Sequence, residues 1–308
     1  MIGAETSRTH SPDEGDLLRR RRVDVLLLNW NGWRDTVECL RSLEKLSYPD
    51  FSVVVIDNGS TDDSVAQIRG AFPAVTIVEA GKNLGFAGGC NLGITYALRG
   101  GAEYVWLLNN DTKVDACALR AMIETAEADP RIGAVGSAIY SMAEPERLQA
   151  WGGGYVNFWL GRSRHFVNPV GDEHIQFLTA ASLLLRRSVV ESIGLLDEGF
   201  FMYWEDADYC FRLRRAGWRL AVAGKSKVWH KEQGSVGKNS ALLDTYFNRS
   251  AMRFFEKNAP TPFIPIWAGI TLRIGKRAVL GDWKRSRAVL AGVSGRRSHH
   301  DGPEEGRY

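Results

Sequence analysis

Cysteine is scarce. Cys39, Cys90, Cys117 and Cys210 are scattered through 308 residues, and none forms a Cys-x-x-Cys pair. That excludes a zinc ribbon or a disulfide framework and leaves a reducing, cytoplasmic setting as the expectation. Long apolar runs are also missing: a membrane-spanning helix needs about 20 such residues. The basic run Arg19 to Arg22 leads only into the short stretch Val23 to Leu28, too brief for a signal-peptide core. Several common site signatures are absent. The turn Asn29-Trp30-Asn31-Gly32 lacks the glycines of a dinucleotide fingerprint, and Gly85-Phe86-Ala87-Gly88-Gly89 has the wrong spacing. Gly224-Lys225-Ser226 ends like a phosphate loop but has Arg219 where the first glycine belongs, and neither His-Glu-x-x-His nor Gly-x-Ser-x-Gly occurs. Nicotinamide-dependent, P-loop and zinc-protease chemistries are thereby set aside.

The chain is 44% hydrophobic and 24% charged with a net charge of +3, enough for one large or two small globular domains. Apolar strand patterns at Val23–Asn29, Phe51–Asp57, Val75–Glu79, Tyr104–Leu108 and Ile132–Ser137 alternate with helical spacings at Asp35–Leu46, Ser64–Phe72, Ala87–Leu98 and Val114–Ala128. Such alternation predicts an α/β fold with a mostly parallel sheet, helices on both faces and right-handed crossovers. Gly152 to Gly154 breaks this rhythm, and a looser stretch runs to Gln176. A buried strand Phe177–Arg186, helices Arg187–Ile193 and Glu205–Ala216, strands Arg219–Ala223 and Lys227–His230, and a long helix Asn239–Glu256 are predicted after it. The expected division is a flexible basic N-terminus at 1–22, a main domain at 23–259 with halves near 23–137 and 138–259, and a tail at 260–308.

Between positions 273 and 297 of that tail Arg273, Lys276, Arg277, Lys284, Arg285, Arg287, Arg296 and Arg297 meet a single acid, Asp282, and they follow an apolar run from Phe263. The pattern fits peripheral contact with an anionic membrane through 263–297, and it fits equally a helix packed on the domain with one charged face. The composition of Ser294 to Tyr308 predicts disorder. No groove-reading motif accompanies the charge, so nucleic acid is not an expected partner.

Oxygen-bearing side chains gather where strands end: Asn29, Asn31, Asp57, Asn58, Asp62, Asn83, Asn91, Asn110 and Asp111, with Glu205, Asp206 and Asp208 at a helix start. In an α/β sheet the carboxyl ends of strands collect ligands. Carboxylates and amides suit hard divalent cations and sugar hydroxyls. Plainer readings stand beside this one. Asn and Asp end strands in ordinary turns, acids at a helix start meet the helix dipole, and a histidine such as His230 often closes a strand through hydrogen bonds.

Five motifs in order, Leu28-Asn29-Trp30-Asn31, Ile56-Asp57-Asn58-Gly59-Ser60-Thr61-Asp62, Asn83-Leu84-Gly85-Phe86-Ala87 with Asn91, Leu108-Asn109-Asn110-Asp111-Thr112 and Trp204-Glu205-Asp206-Ala207-Asp208, resemble the inverting glycosyltransferases of family 2, within their rhamnosyltransferase-like branch. The resemblance spans about Val23 to Pro260 and implies a GT-A fold, a Rossmann-like mostly parallel sheet, here with a C-terminal helical basic tail. It implies that Asn29, Asn31 and Asp57 hold the base and ribose of a dTDP- or UDP-sugar, that Asn83 and Gly85 shape that pocket, and that Asn110 and Asp111 stand at the Asp-x-Asp position. Asp111 and His230 would ligate Mn2+ or Mg2+, Asp206 would be the catalytic base, and Trp204, Glu205 and Asp208 would lie near the acceptor or sugar. The implied acceptor is a saccharide or a polyprenol-linked saccharide of polysaccharide or cell-wall synthesis, and the enzyme would sit in the cytoplasm or on the inner membrane face. A glycan- or nucleotide-sugar-binding protein without turnover and a nucleotidyltransferase are the alternatives. Lys231, Gly234 and Ser235 form an expected lid.

Overall fold

The computed structural model describes residues 21–231 and 241–294. The expectations for 1–20, for Gly234 and Ser235 of the lid, for the start of the helix at Asn239, and for Arg296, Arg297 and the end of the tail lie outside the described residues.

Chain order begins β1 (Val23–Asn29), α1 (Trp33–Leu43), β2 (Phe51–Asp57), α2 (Ser64–Ala71), β3 (Thr76–Glu79), α3 (Gly85–Arg99), β4 (Tyr104–Asn109), β5 (Thr112–Val114), α4 (Ala118–Glu127) and β6 (Ile132–Ser141). It continues through β7 (Leu148–Trp151), β8 (Gly153–Asn157), β9 (Arg162–His165), β10 (Phe177–Leu178), β11 (Ser182–Arg186), α5 (Arg187–Ile193), α6 (Glu205–Arg215) and β12 (Arg219–His230). Three helices close it: α7 (Ala241–Asn258), α8 (Phe263–Val279) and α9 (Trp283–Ser294).

The main sheet has the order β3-β2-β1-β4-β11-β6-β12-β5, with β7 on β6. β3, β2, β1, β4, β6 and β12 run one way, and β11, β5 and β7 run against them. The sheet is therefore mostly parallel, as its near-continuous apolar strands require: a strand such as Val23–Asn29 is buried on both faces. Alternation along it feeds two cores. Leu26, Ile56 and Leu107 pack with Ile94 of α3 and with α6 and α7, whereas Val25, Leu27 and Trp106 pack with Leu40, Leu119 and Met122 of α1 and α4. Helices on both faces follow directly.

Three predicted elements change. Phe177–Arg186 is two strands in two sheets, since β10 pairs with β8 and β11 lies between β4 and β6, with Thr179 to Ala181 turning between them. Arg219–His230 is one strand, with the register shift between Ala223 and Lys227 absorbing Gly224-Lys225-Ser226 as a bulge. The helix expected from Val114 begins at Ala118, because Val114 belongs to the strand Thr112–Val114, which pairs with Val228 to His230. Within the looser stretch to Gln176, β8, β9 and β10 form a second, three-stranded sheet.

Candidate active site

Parallel pairing aligns Asn29 with Asp57 and Leu28 with Asn109, so the ends of β1, β2 and β4 open on one edge. At this edge Asp57, 4% exposed, accepts hydrogen bonds from the Ser60 N–H at 3.0 Å, the Ser60 hydroxyl at 2.6 Å and the Asn29 amide at 3.0 Å. Asn29 is fully buried, and its oxygen accepts from the Thr36 hydroxyl at 2.8 Å. Its polar atoms are thus committed inside the protein, and it serves to aim Asp57. Asn31 is exposed, adopts a left-handed φ of 50° that Asn tolerates better than most residues, and its oxygen accepts the Thr61 N–H at 2.8 Å. It clips the first strand-end loop to the second.

Asn58 in turn clips the second loop to the third. Its amide donates to Asn83 Oδ1 and to the Gly85 carbonyl, both at 3.1 Å, while its oxygen accepts the Leu84 N–H at 3.0 Å. Gly85 has φ +73°, and a Cβ there would lie 2.5 Å from the Phe201 carbonyl oxygen. Only glycine lets α3 approach that segment, whose carbonyl also accepts the Phe86 N–H at 2.7 Å. Gly85 and Phe86 therefore seam the two halves of the domain together, and Asn83, whose oxygen accepts the Gly85 N–H at 2.9 Å, holds the loop that leads into them.

The run Asn109 to Asp111 follows β4, and β5 turns it against the far end of β12, where His230 pairs with Thr112. That register brings Asp111 Oδ1 to 3.2 Å from His230 Nε2 although 119 positions of sequence separate them. Asn109 Nδ2 also stands 3.2 Å from His230 Nε2, and Asn110 donates to the Thr36 hydroxyl at 2.9 Å. Asp111 is the one carboxylate in its motif. Among the described residues no group of three or more His, Cys, Asp and Glu could hold a metal. A two-residue set nevertheless fits a cation whose other positions go to diphosphate oxygens and water: donors about 2.1 Å from one cation and at right angles to it are about 3 Å apart. The Lys231 N–H holds the Asp111 carbonyl at 3.1 Å, and its ammonium pairs with Asp35.

On the opposite side two consecutive residues with left-handed backbone, Tyr203 (φ 68°) and Trp204 (φ 69°), precede α6. Such a turn costs on the order of 1 kcal/mol per residue, and tight packing fixes it here. Trp204 is 4% exposed and lies 4.8 Å from the Phe254 ring and 5.3 Å from Phe255. It belongs to the aromatic core. Asp208, fully buried, pairs with Arg212 at 3.1 Å and Lys257 at 2.8 Å and ties α6 to α7, because a two-residue step along a helix points away from Asp206.

Asp206 is the member of the trio that is partly exposed. Its carboxylate accepts the Ala207 N–H at 2.7 Å and the Ala180 N–H at 3.2 Å. Burial pushes its pKa up, against those two donors and the nearby His165 imidazole, which pull it down. The break between β10 and β11 is what frees Ala180 to reach it. The next carbonyl, of Ala181, accepts the Asn109 N–H at 3.1 Å, so one short turn ties the start of α6 to the end of β4. Sequence reasoning missed this turn and also His165 on β9, an exposed imidazole that lies within electrostatic reach of both Asp206 and His230. The small residues Thr179-Ala180-Ala181 interrupting an apolar run were the available signal for the turn. A lone histidine in a loop-like stretch gave none.

Glu205 is 5% exposed, and its Oε2 has no hydrogen-bond partner. Burial, then the neighbouring Asp206, raises its pKa well above the ordinary 4.5. A raised folded-state value means that the folded chain keeps a proton the unfolded chain has lost, so stability falls as pH rises above about 4.5. Glu205→Gln is expected to flatten that fall. Thermal melts at about pH 5 and about pH 8 check it, and an undiminished loss of Tm in the variant would contradict the assignment.

The glycosyl transferase family 2 profile matches residues 24–194, more than half of the chain. An N-acetylglucosaminyl-diphospho-decaprenol L-rhamnosyltransferase of Mycobacterium tuberculosis is 28% identical over 225 residues, 66% of this chain and 73% of that protein. A galactofuranosyltransferase of the same organism is 30% identical over 189 residues, 58% of this chain and 61% of its own length. Among solved structures, a mannosyltransferase from Pyrobaculum calidifontis in complex with GDP-Man and Mn2+ superposes with a TM-score of 0.56 at 20% identity, covering 91% of this chain and 77% of that one. GalNAc-T7 with UDP, GalNAc and Mn2+ gives 0.64 at 14% identity, covering 87% and 54%. Those superpositions show the GT-A fold. The chain belongs to glycosyl transferase family 2, on the side of the family where its rhamnosyltransferase and galactofuranosyltransferase relatives lie.

Proposed function

We propose that the protein is a metal-dependent inverting glycosyltransferase that moves a sugar, L-rhamnose from a dTDP donor as the first candidate, onto a hydroxyl of a polyprenol-linked saccharide. The observation that carries this reading is the convergence of Asp111 and His230, 3.2 Å apart, on the edge that also presents Asp57 and faces Asp206 across the Thr179 to Ala181 turn. The rhamnosyltransferase relative supplies the donor and acceptor class by similarity.

In this reading Asp57, aimed by Asn29 and Ser60, accepts hydrogen bonds from the nucleoside, and Asn31 borders it. Asp111 and His230 hold the divalent cation, with imidazole favouring Mn2+ over Mg2+; the cation, when bound, offsets charge on the diphosphate as it departs. Asp206 accepts the proton of the acceptor hydroxyl while that oxygen bonds to the anomeric carbon on the face opposite the departing diphosphate, so one displacement inverts the centre. Its raised pKa makes it a stronger base than an exposed carboxylate, and the Ala180 and Ala207 N–H groups favour its ionised form and aim it. His165 faces the same space and serves as a hydrogen-bonding contact for acceptor or sugar.

Incubation with a panel of dTDP- and UDP-sugars, Mn2+ or Mg2+ and a polyprenyl-diphosphate saccharide tests the proposal. Nucleoside diphosphate release with an inverted product is the expected result. Pyrophosphate release would make the protein a nucleotidyltransferase, and nucleotide-sugar binding without turnover across the panel would leave it a binding protein.

A further inference from the structure

The last two helices divide their cations between two directions. Arg277 and Arg285 turn inward onto Asp244 of α7, with Nε to Oδ2 distances of 3.1 and 2.6 Å. Arg273 donates to the Gly161 carbonyl at 3.0 Å, beside the tip of the β8–β9 hairpin, and lies over the Phe247 ring at 5.7 Å. Ile266 and Ile270, 7% and 2% exposed, fill the same inward face. These contacts fasten α8 and α9 to the body as a fixed plate.

The outward side is built differently. Trp267, Leu272, Val279, Leu280, Trp283 and Leu290 are 50% to 88% exposed. Trp283, Arg287 and Leu290 recur at i, i+4 and i+7 on one face of α9. The exposed charges carried by the two helices, Lys276, Lys284 and Arg287, are all cationic, and neither helix contains an acid; an acid of α7, Glu256, lines the same hollow as Trp267. Asp282, between the helices, is occupied in accepting the Arg285 N–H at 3.1 Å. Large apolar side chains grouped this densely on a surface mark an interaction site.

We propose that this plate docks in the plane of an anionic lipid surface. Aromatic and aliphatic side chains flanked by lysine and arginine match the boundary between acyl chains and anionic headgroups. Among the described residues no helix is long and apolar enough to cross a membrane, so the plate lies on the surface. A second copy of the chain is a poorer occupant. A twofold contact sets the patch against its own copy and would face Lys276, Lys284 and Arg287 with a surface whose helices carry cations and no acid. The assignment does not rest on the transferase reading.

Co-sedimentation of the full chain with vesicles of phosphatidylcholine, alone or with about one-third phosphatidylglycerol, tests it. Each surface cation is worth on the order of fivefold in binding to such a membrane. The double variant Lys284→Glu with Arg287→Glu is therefore expected to weaken binding to the anionic vesicles by about 30-fold or more. Trp267→Ala with Trp283→Ala is expected to weaken it on both vesicle types, and unchanged thermal melts confirm that these exposed sites leave the fold intact. Absence of co-sedimentation with either vesicle, or binding indifferent to both double variants, would overturn the proposal. So would a concentration-dependent dimer on light scattering that the tryptophan variant dissolves.

Discussion

Asp206→Asn is expected to slow sugar transfer by between about 10²-fold and 10⁴-fold, the range of a lost general base, with the KM for the nucleotide sugar nearly unchanged. The amide is isosteric and uncharged, so it removes the proton acceptor without opening a cavity. Its oxygen replaces the carboxylate at the Ala207 N–H, 2.7 Å away, and its NH2 then faces the Ala180 N–H at 3.2 Å, a donor against a donor. One weak hydrogen bond, about 1 kcal/mol, is the expected structural cost, and a thermal melt separates that from the catalytic loss. The parent enzyme's pH profile carries a second signature. Because burial raises the Asp206 pKa above its ordinary 3.8, the acid limb of kcat/KM should lie above that value, the rate falling as pH drops through it. Asp206→Asn should erase the limb along with the rate. A variant that transfers as fast as the parent would move the base elsewhere.

Asp206 is singled out by the likeness of Trp204-Glu205-Asp206-Ala207-Asp208 to the family motif, whereas its residue type at a helix start is shared equally by Glu205 and Asp208. Geometry separates the three, because the left-handed pair Tyr203-Trp204 sets the phase of α6, sending Glu205 and Asp208 into the interior and Asp206 to the opening. Sequence patterns carry helical periodicity, but not the backbone of the turn that sets where the period starts. The sheet tells the same story. Strand-end polar residues announce Asp57 and Asp111 locally, since an apolar run that stops in Asp or Asn is visible in a dozen letters. His230 is joined to Asp111 only through the antiparallel pairing of β5 with β12, a long-range contact that no local window contains. The tail shows a third limit. Its cations read as one basic face, yet Arg273, Arg277 and Arg285 find Gly161 and Asp244 inside, because choosing between a carbonyl, a buried carboxylate and water requires the tertiary neighbours. The packed-helix reading holds on the inward side of that segment, and the membrane proposal concerns the outward side alone.

Asp111→Asn should follow Asp206→Asn in size, with a fall in transfer of about 10²-fold or more and loss of the response to Mn2+. Asn109 and Asn110 are already amides, and their side chains are directed to His230 and Thr36, so no neighbouring carboxylate can replace the lost charge. His230→Ala should cost less, on the order of tenfold to 100-fold as for other partial losses of metal affinity. The loss should be smaller with Mg2+ than with Mn2+, because imidazole contributes most to the softer ion. The two residues are 3.2 Å apart and would serve one cation. The double variant should therefore be little worse than Asp111→Asn alone, since side chains acting as a unit are not additive. Calorimetric titration of Mn2+ in the presence of UDP reads the same site without turnover: affinity should drop in both single variants, and chelation should abolish transfer in the parent. An Asp111→Asn protein that still binds Mn2+ with parental affinity would place the cation away from the β4–β5 junction. A His230→Ala protein with unchanged metal preference would return the imidazole to a purely structural role, closing the strand through Asp111 and Asn109.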